Sequence, residues 1–198
     1  MSVQAGPDGR LRCPWALSSV EYVAYHDNEW GRPVHGDTGL YERLTLEAFQ
    51  SGLSWLTILR KREGFRRAFA GFDPDVVAEF AETDVERLLA DPGIVRNRAK
   101  ITAAVTNARA VVALHERDGD DALDRLVWSH RPEPRPVPRR LADLPATTTE
   151  SAALAKDLKR HGFVFVGPTT AYATMQAAGL VDDHLADCFA RGQPSFSE

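Results

Sequence analysis

The chain has 198 residues, 43% of them apolar and 26% charged, and a formal net charge of −4 at pH 7. That length allows a sizeable buried core in one large or two small domains, and the composition excludes a disordered or fibrous chain. No stretch reaches the roughly 20 apolar residues of a membrane span, and MSVQAGPDGR lacks a secretory apolar segment, so a cytoplasmic protein without a membrane partner is expected. The negative total argues against a chain coated in positive charge. Basic residues nonetheless gather at Arg60, Lys61, Arg62, Arg66 and Arg67, at Arg96, Arg98 and Lys100, and at Arg131, Arg135, Arg139 and Arg140. Phosphates are held by one face rather than by the total charge. Each cluster alone is also what a solvated helix face or a charged loop looks like. The two cysteines, Cys13 and Cys188, stand near opposite ends, and a reducing compartment would not keep them as a disulfide.

Apolar spacing predicts helices over 19–29 and 38–51, with Asp37 as N-cap of the second and Gly52 in the left-handed conformation after it. A helix from Trp55 to Arg62 follows, then a short one to Phe69. Asp73 and Pro74 read as a cap and a first helical residue, opening a helix to about Phe80. Thr83 and Glu86 have capping-box spacing for the next, which Pro92 and Gly93 end. From Arg96 to about His115, Ile101, Ala104, Val105, Ala108, Val111 and Val112 form a long buried stripe. RPEPRPVPRR (131–140), with four prolines and four arginines, predicts an extended loop. Thr149 is placed as the cap of a helix ended by Gly162. The run FVFVG then leads to Pro168 and a last helix through Ala177. The expected fold is all-α, a compact multi-helix unit over residues 1–198, with two subdomains flanking a pocket as a variant.

Three groupings carry chemistry. His184 and Cys188, four apart, fall on one helix face as a workable pair of zinc ligands. Cys13 and His26 offer a second pair, but joining the halves requires the termini to meet, which spacing does not establish. His35, His115, His130 and His161 have no ligand-like partners in sequence. Glu47 lies within the apolar stretch LTLEAFQSGLSW, either on a wet helix side or in a cavity. Trp55, Tyr22 and Tyr25 stand near enough in sequence to share such a cavity. Indole and phenol faces with a carboxylate suit a flat, electron-poor ring. LLADPGIVRNRAK (88–100) is a helical hairpin whose turn amides and Arg96, Arg98 and Lys100 suit a phosphate.

Together RCPW (12–15), YVAYHDNEWGRP (22–33), LTLEAFQSGLSWLTILRKRE (44–63), FDP (72–74), GIVRNRAKI (93–101), GFVFVGPTTAYATMQAAGLVDDH (162–184) and Cys188 resemble the 3-methyladenine DNA glycosylase I family of bacteria, within the helix-hairpin-helix glycosylase superfamily. The resemblance implies one structural zinc per chain on Cys13, His26, His184 and Cys188, joining the termini. It implies that Glu47 recognises the extruded base, with Tyr25 hydrogen bonding, Trp55 stacking, and Tyr22 and Trp30 completing the wall. It also implies that the hairpin, with Gly93, Arg96, Arg98 and Lys100, anchors duplex DNA. DPGIVRN is poorer in glycine than the usual hairpin of the superfamily, and Ala48 stands where relatives often have glycine.

The implied activity is excision of 3-methyladenine from alkylated double-stranded DNA by hydrolysis of the N-glycosidic bond. Free 3-methyladenine and an abasic site remain, without a strand-cutting step. A monomer is expected. Glu47 is the catalytic candidate, acting through recognition and electrostatic stabilisation. Two other readings stand beside this one: a non-catalytic protein that binds alkylated bases, and a zinc-dependent hydrolase using Glu47. The turn from Gln50 to Leu53 is the candidate for filling the gap left in the duplex.

Overall fold

The computed structural model describes residues 1–193; the last five residues lie outside the description. Nine α-helices and three short 3-10 turns account for most of it. β1 (Gln4–Ala5) and β2 (Leu11–Arg12) form an antiparallel pair, the only sheet among the described residues. The helices are α1 (Val20–Asn28), α2 (Asp37–Gln50), α3 (Trp55–Ala68), α4 (Pro74–Ala78), α5 (Glu82–Ala90), α6 (Arg98–Asp118), α7 (Ala122–Trp128), α8 (Thr149–Arg160) and α9 (Pro168–Ala177).

α2 is the central rod. It is buried on nearly every side, with Leu40, Tyr41, Leu44 and Phe49 shielded from water, and it packs on α3, α6 and α9. Of the predicted α6 stripe, Ile101, Ala104, Val105, Ala108 and Val111 are buried and Val112 is half-buried, and Tyr41 Oη donates to the Ala104 carbonyl at 2.9 Å, pinning α2 to α6. Phe49, Phe65, Phe69 and Phe72 pack edge to face or stacked beneath α3, with centroids 4.7–6.2 Å apart. A second, smaller core gathers Cys13, Tyr25, Trp30, Leu185, Cys188 and Ala190 from both ends of the chain. Trp55 packs against both cores, so its ring stands on the seam.

Several local expectations change. Asp37 does not cap its own helix; the N-cap is Gly36. Its carboxylate instead accepts from the Leu123 and Asp124 amides at 3.1 and 2.7 Å and pairs with His115 Nε2 at 2.6 Å, ordering the start of α7. α3 runs through Gly64 without a break. The glycine serves close packing: a Cβ there would lie 2.3 Å from the Gly93 carbonyl oxygen, so only glycine lets α3 touch the hairpin. Gly64→Ala is therefore expected to displace the 91–97 turn and cost about 2 kcal/mol, read by denaturant melting. α5 starts at Glu82, where the Ala81 amide donates to Asp84 rather than Thr83 capping the helix. Thr148 rather than Thr149 caps α8, accepting from the Ser151 amide at 3.1 Å. α7 was not predicted at all. The four prolines of 131–140 lie in irregular chain, as expected, and Gly52 takes φ +78°. No helix among the described residues is long and apolar enough to cross a membrane.

Candidate active site and metal centre

A cavity of about 350 Å³ opens where α1, α2, the start of α3 and α9 meet, within the range of small-ligand pockets. Tyr22, Tyr25, Trp30, Glu47 and Trp55 all line it, joined by Trp15, Gln50, Ala173 and Gln176. The rings interlock: Trp15 lies 5.7 Å from Tyr22 and 5.1 Å from Trp30, both edge to face, and Tyr25 lies 5.4 Å from Trp55. Ser19 caps α1 and sets its direction, accepting from the Tyr22 amide at 3.1 Å. Tyr22 Oη then accepts from the Leu56 amide at 3.0 Å, so the phenol holds the first turn of α3, and with it Trp55, against α1. Trp55 Nε1 is buried without a hydrogen-bond partner among the described residues, a donor left over for an occupant.

Glu47 projects into this aromatic box from α2. It makes no hydrogen bond among the described residues, and burial pushes its carboxyl up to about 8, with Arg43 one turn earlier offsetting only part of the shift. Tyr25 is likewise pushed up by burial and by the nearby Glu47 charge. A desolvated acid in a cage of π faces strongly favours a flat cation. Trp15, Ala173 and Gln176 were not singled out from sequence, and Gln50 was named only as the start of the turn expected to fill the gap in the duplex, whereas it lines the cavity. Trp15 carried a signal, since it follows Cys13 by two residues in RCPW, whereas Ala173 and Gln176 read only as ordinary helix-face residues.

Behind the aromatic wall, Cys13, His26, His184 and Cys188 converge, all buried, with donor atoms within 4.8 Å of one another. Cys188 Sγ stands 3.3 Å from His26 Nε2 and 3.6 Å from His184 Nδ1, and Cys13 Sγ stands 3.9 Å from His184 Nδ1. A tetrahedron around zinc, with bonds of roughly 2.3 Å to sulfur and 2.0 Å to nitrogen, has edges of about 3.3–3.8 Å. The four residues therefore fit such an ion. The remaining ring nitrogens are also committed: His26 Nδ1 meets Asp27 at 2.8 Å, and His184 Nε2 meets the Trp30 carbonyl at 3.0 Å. Asp27 is held in turn by buried Arg12, at 2.7 Å. Such outer partners fix the tautomer and orientation of a metal-binding imidazole. The other histidines serve elsewhere: His35, His115 and His130 pair with Asp124, Asp37 and Asp157, and His161 meets Arg117.

The hairpin residues divide. Arg96 is exposed and has no ion-pair partner among the described residues. Arg98 is also exposed but bridges to Glu82 and Glu86 of α5. The Gly93 amide donates to Asp91 Oδ1 at 2.6 Å, so that donor is already taken. Lys100 points inward, against the expectation of a phosphate contact: its Nζ donates to the Phe49 and Ser51 carbonyls at 2.8 and 2.5 Å. It thus closes the C-terminal end of α2 just beyond Glu47. Lys100→Met should cost about 1–3 kcal/mol in stability and leave the salt dependence of DNA affinity unchanged, whereas loss of a phosphate contact would lower that slope by about 0.9. Affinity measured across a salt series separates the two.

The family model for methyladenine glycosylases matches residues 15–191. The chain is 47% identical over 180 residues to DNA-3-methyladenine glycosylase 1 of Escherichia coli, covering 89% of this chain and 95% of the relative. It is 46% identical to the DNA-3-methyladenine glycosylase of Haemophilus influenzae, with coverage of 89% and 96%. The solved 3-methyladenine DNA glycosylase I of Staphylococcus aureus, a structure concerned with recognition of 3-methyladenine, superposes with a TM-score of 0.86 at 35% identity, over 92% of this chain and 97% of that one. With a match over nearly the whole length, and identities far above what shared fold alone requires, the chain belongs to the methyladenine glycosylase family.

Proposed function

We propose that the chain acts as a single, monomeric unit in the cytoplasm, flipping 3-methyladenine out of alkylated double-stranded DNA and hydrolysing its N-glycosidic bond. The observation that carries this reading is Glu47, a buried carboxyl with no hydrogen bond among the described residues, inside a box of aromatic rings. Methylation at N3 gives the adenine ring a positive charge, which the rings and Glu47 favour over an undamaged, neutral base. The charge also makes the base a ready leaving group. As the bond to the sugar breaks, its electron pair goes to the ring, which departs neutral and needs no general acid. Water adds to the anomeric carbon and loses its proton, leaving an abasic site.

In this reading Trp55 stacks on the base and Tyr25 hydrogen bonds to it. Tyr22 and Trp30 close the wall, and Glu47 offsets the ring charge as bond cleavage begins. Arg96 is the outward cation of the hairpin best placed for phosphate. Zinc on Cys13, His26, His184 and Cys188 supplies cross-linking only, since all four positions belong to protein and none is left for water. That closed donor set weighs against the zinc hydrolase reading.

Release of free 3-methyladenine from alkylated duplex, followed chromatographically, tests the activity; binding without release would leave a lesion-binding protein. Proton linkage gives a second check. Below pH 8 an incoming cation must displace the Glu47 proton. Affinity for the permanently charged 3,9-dimethyladeninium should therefore rise about tenfold per pH unit between pH 6 and pH 8, then level. A flat profile by calorimetry would count against a protonated Glu47 in the empty pocket.

A further inference from the structure

Asp183 is buried one residue before His184, between the base cavity and a groove of about 980 Å³ beneath the proline-rich loop. Three donors converge on its carboxylate: Tyr172 Oη, Gln176 Nε2 at 2.8 Å and Arg135 Nη2 at 3.5 Å. Arg135 also reaches Tyr172 Oη at 3.3 Å and stands 5.6 Å from the centre of its ring. Burying a carboxylate is unfavourable unless it is satisfied in this way, and none of the roles assigned above uses this one. Its link to the cavity is Gln176, which lines the wall beside Ala173.

A carboxamide carries its donors on one arm and its acceptor on the other. Because the Asp183 carboxylate accepts, the Gln176 nitrogen faces it and Oε1 takes the other direction, where no described residue donates to it. We propose that Asp183 is a positioning residue that locks Gln176 with its oxygen toward the bound base. There Oε1 accepts from an exocyclic amine, which makes Gln176 specificity-determining. This rests on the cavity being the base pocket. A fixed acceptor favours a 6-amino purine and repels a 6-oxo one, so discrimination comes from an unfavourable contact as much as from a favourable one.

The test compares free 3-methyladenine with 3-methylpurine, which lacks the amine, by calorimetric titration of the purified chain. The wild-type preference for 3-methyladenine should fall about tenfold in Gln176→Leu, the loss of roughly one hydrogen bond. Tyr172 and Gln176 share Asp183 Oδ2 while Arg135 takes Oδ1. In Asp183→Asn the amide oxygen therefore stays with Arg135 and the nitrogen takes the shared position. The Tyr172 hydroxyl turns to accept from it, and Gln176 must flip. The preference should then fall at least as far, with 3-methylguanine binding improved. Thermal melts by circular dichroism establish that each variant is folded, and if Asp183→Asn does not fold, Gln176→Leu decides alone. A preference within twofold of wild type in folded Gln176→Leu overturns the proposal. A loss in Gln176→Leu without one in folded Asp183→Asn overturns the positioning role. Wild-type protein that binds neither purine would instead overturn the reading of the cavity as a base pocket.

Discussion

Glu47→Gln is expected to lower kcat/KM on alkylated duplex by about 100-fold, the scale of a lost charge-assisted contact, while making the protein harder to unfold in mild alkali. The two effects share a cause. Burial raises the Glu47 carboxyl from 4.5 to about 8, so across that window the folded state holds a proton that the unfolded state has released. Stability from this group is fully present below pH 4.5 and is lost as pH rises through about 8. A neutral glutamine has no such loss. The melting temperature of the variant should therefore exceed that of wild type by a margin that widens from pH 5 to pH 9. A parallel pair of melting curves across that range would show that Glu47 is not strained in the way the cavity requires. Function here depends on a group the fold would be more stable without.

The second large effect concerns the clustered thiols and imidazoles. Cys188→Ser, or prolonged chelation, should lower the melting temperature by at least about 10 °C, because breaking a closed four-ligand site removes several kcal/mol from a chain of this size. Metal analysis of the purified protein should return one zinc per chain, falling toward zero in the variant. Base affinity should fall as well: His184 holds the Trp30 carbonyl, and Trp15 lies 5.2 Å from the His26 ring, so the pocket wall rests on this cluster. Tyr25→Phe makes the contrast. It should weaken base binding and leave metal content and melting temperature close to wild type.

Much of this was legible in the residues because the signals were periodic or chemically unusual. The α6 stripe and the Asp73 and Pro74 start of α4 follow from helix geometry. His184 and Cys188 do converge, but through a turn in irregular chain beyond α9 and not on the helix face that their four-residue step suggested. What stayed hidden depended on distant partners. The helix expected to stop at Arg62 runs on through Gly64, whose reason for being glycine, the Gly93 carbonyl, lies on another segment. Asp37 looked like a local cap because nothing near it in sequence shows that α7 needs one. Lys100 sat in a basic run, yet the carbonyls that take its charge belong to a helix end about 50 residues earlier. Gln176 showed no signal because it sits on α9 like any helix-face residue, and its importance appears only with Asp183 and the cavity together. The quartet of Cys13, His26, His184 and Cys188 could be assembled before the fold was known only through family resemblance.

Cys13 and His184 are 171 residues apart in sequence and 3.9 Å apart in space. A tie of that span encloses almost the whole chain in one loop, whose closure costs about 5 kcal/mol of chain entropy. Contacts within and between neighbouring helices close far shorter loops, so the helical core can form before the ends meet. Trp15, Tyr25 and Trp30 belong to the segment that docks with this late closure. A chain whose ends have not met therefore carries Glu47 and Trp55 on α2 and α3 but lacks the rings that face them across the cavity.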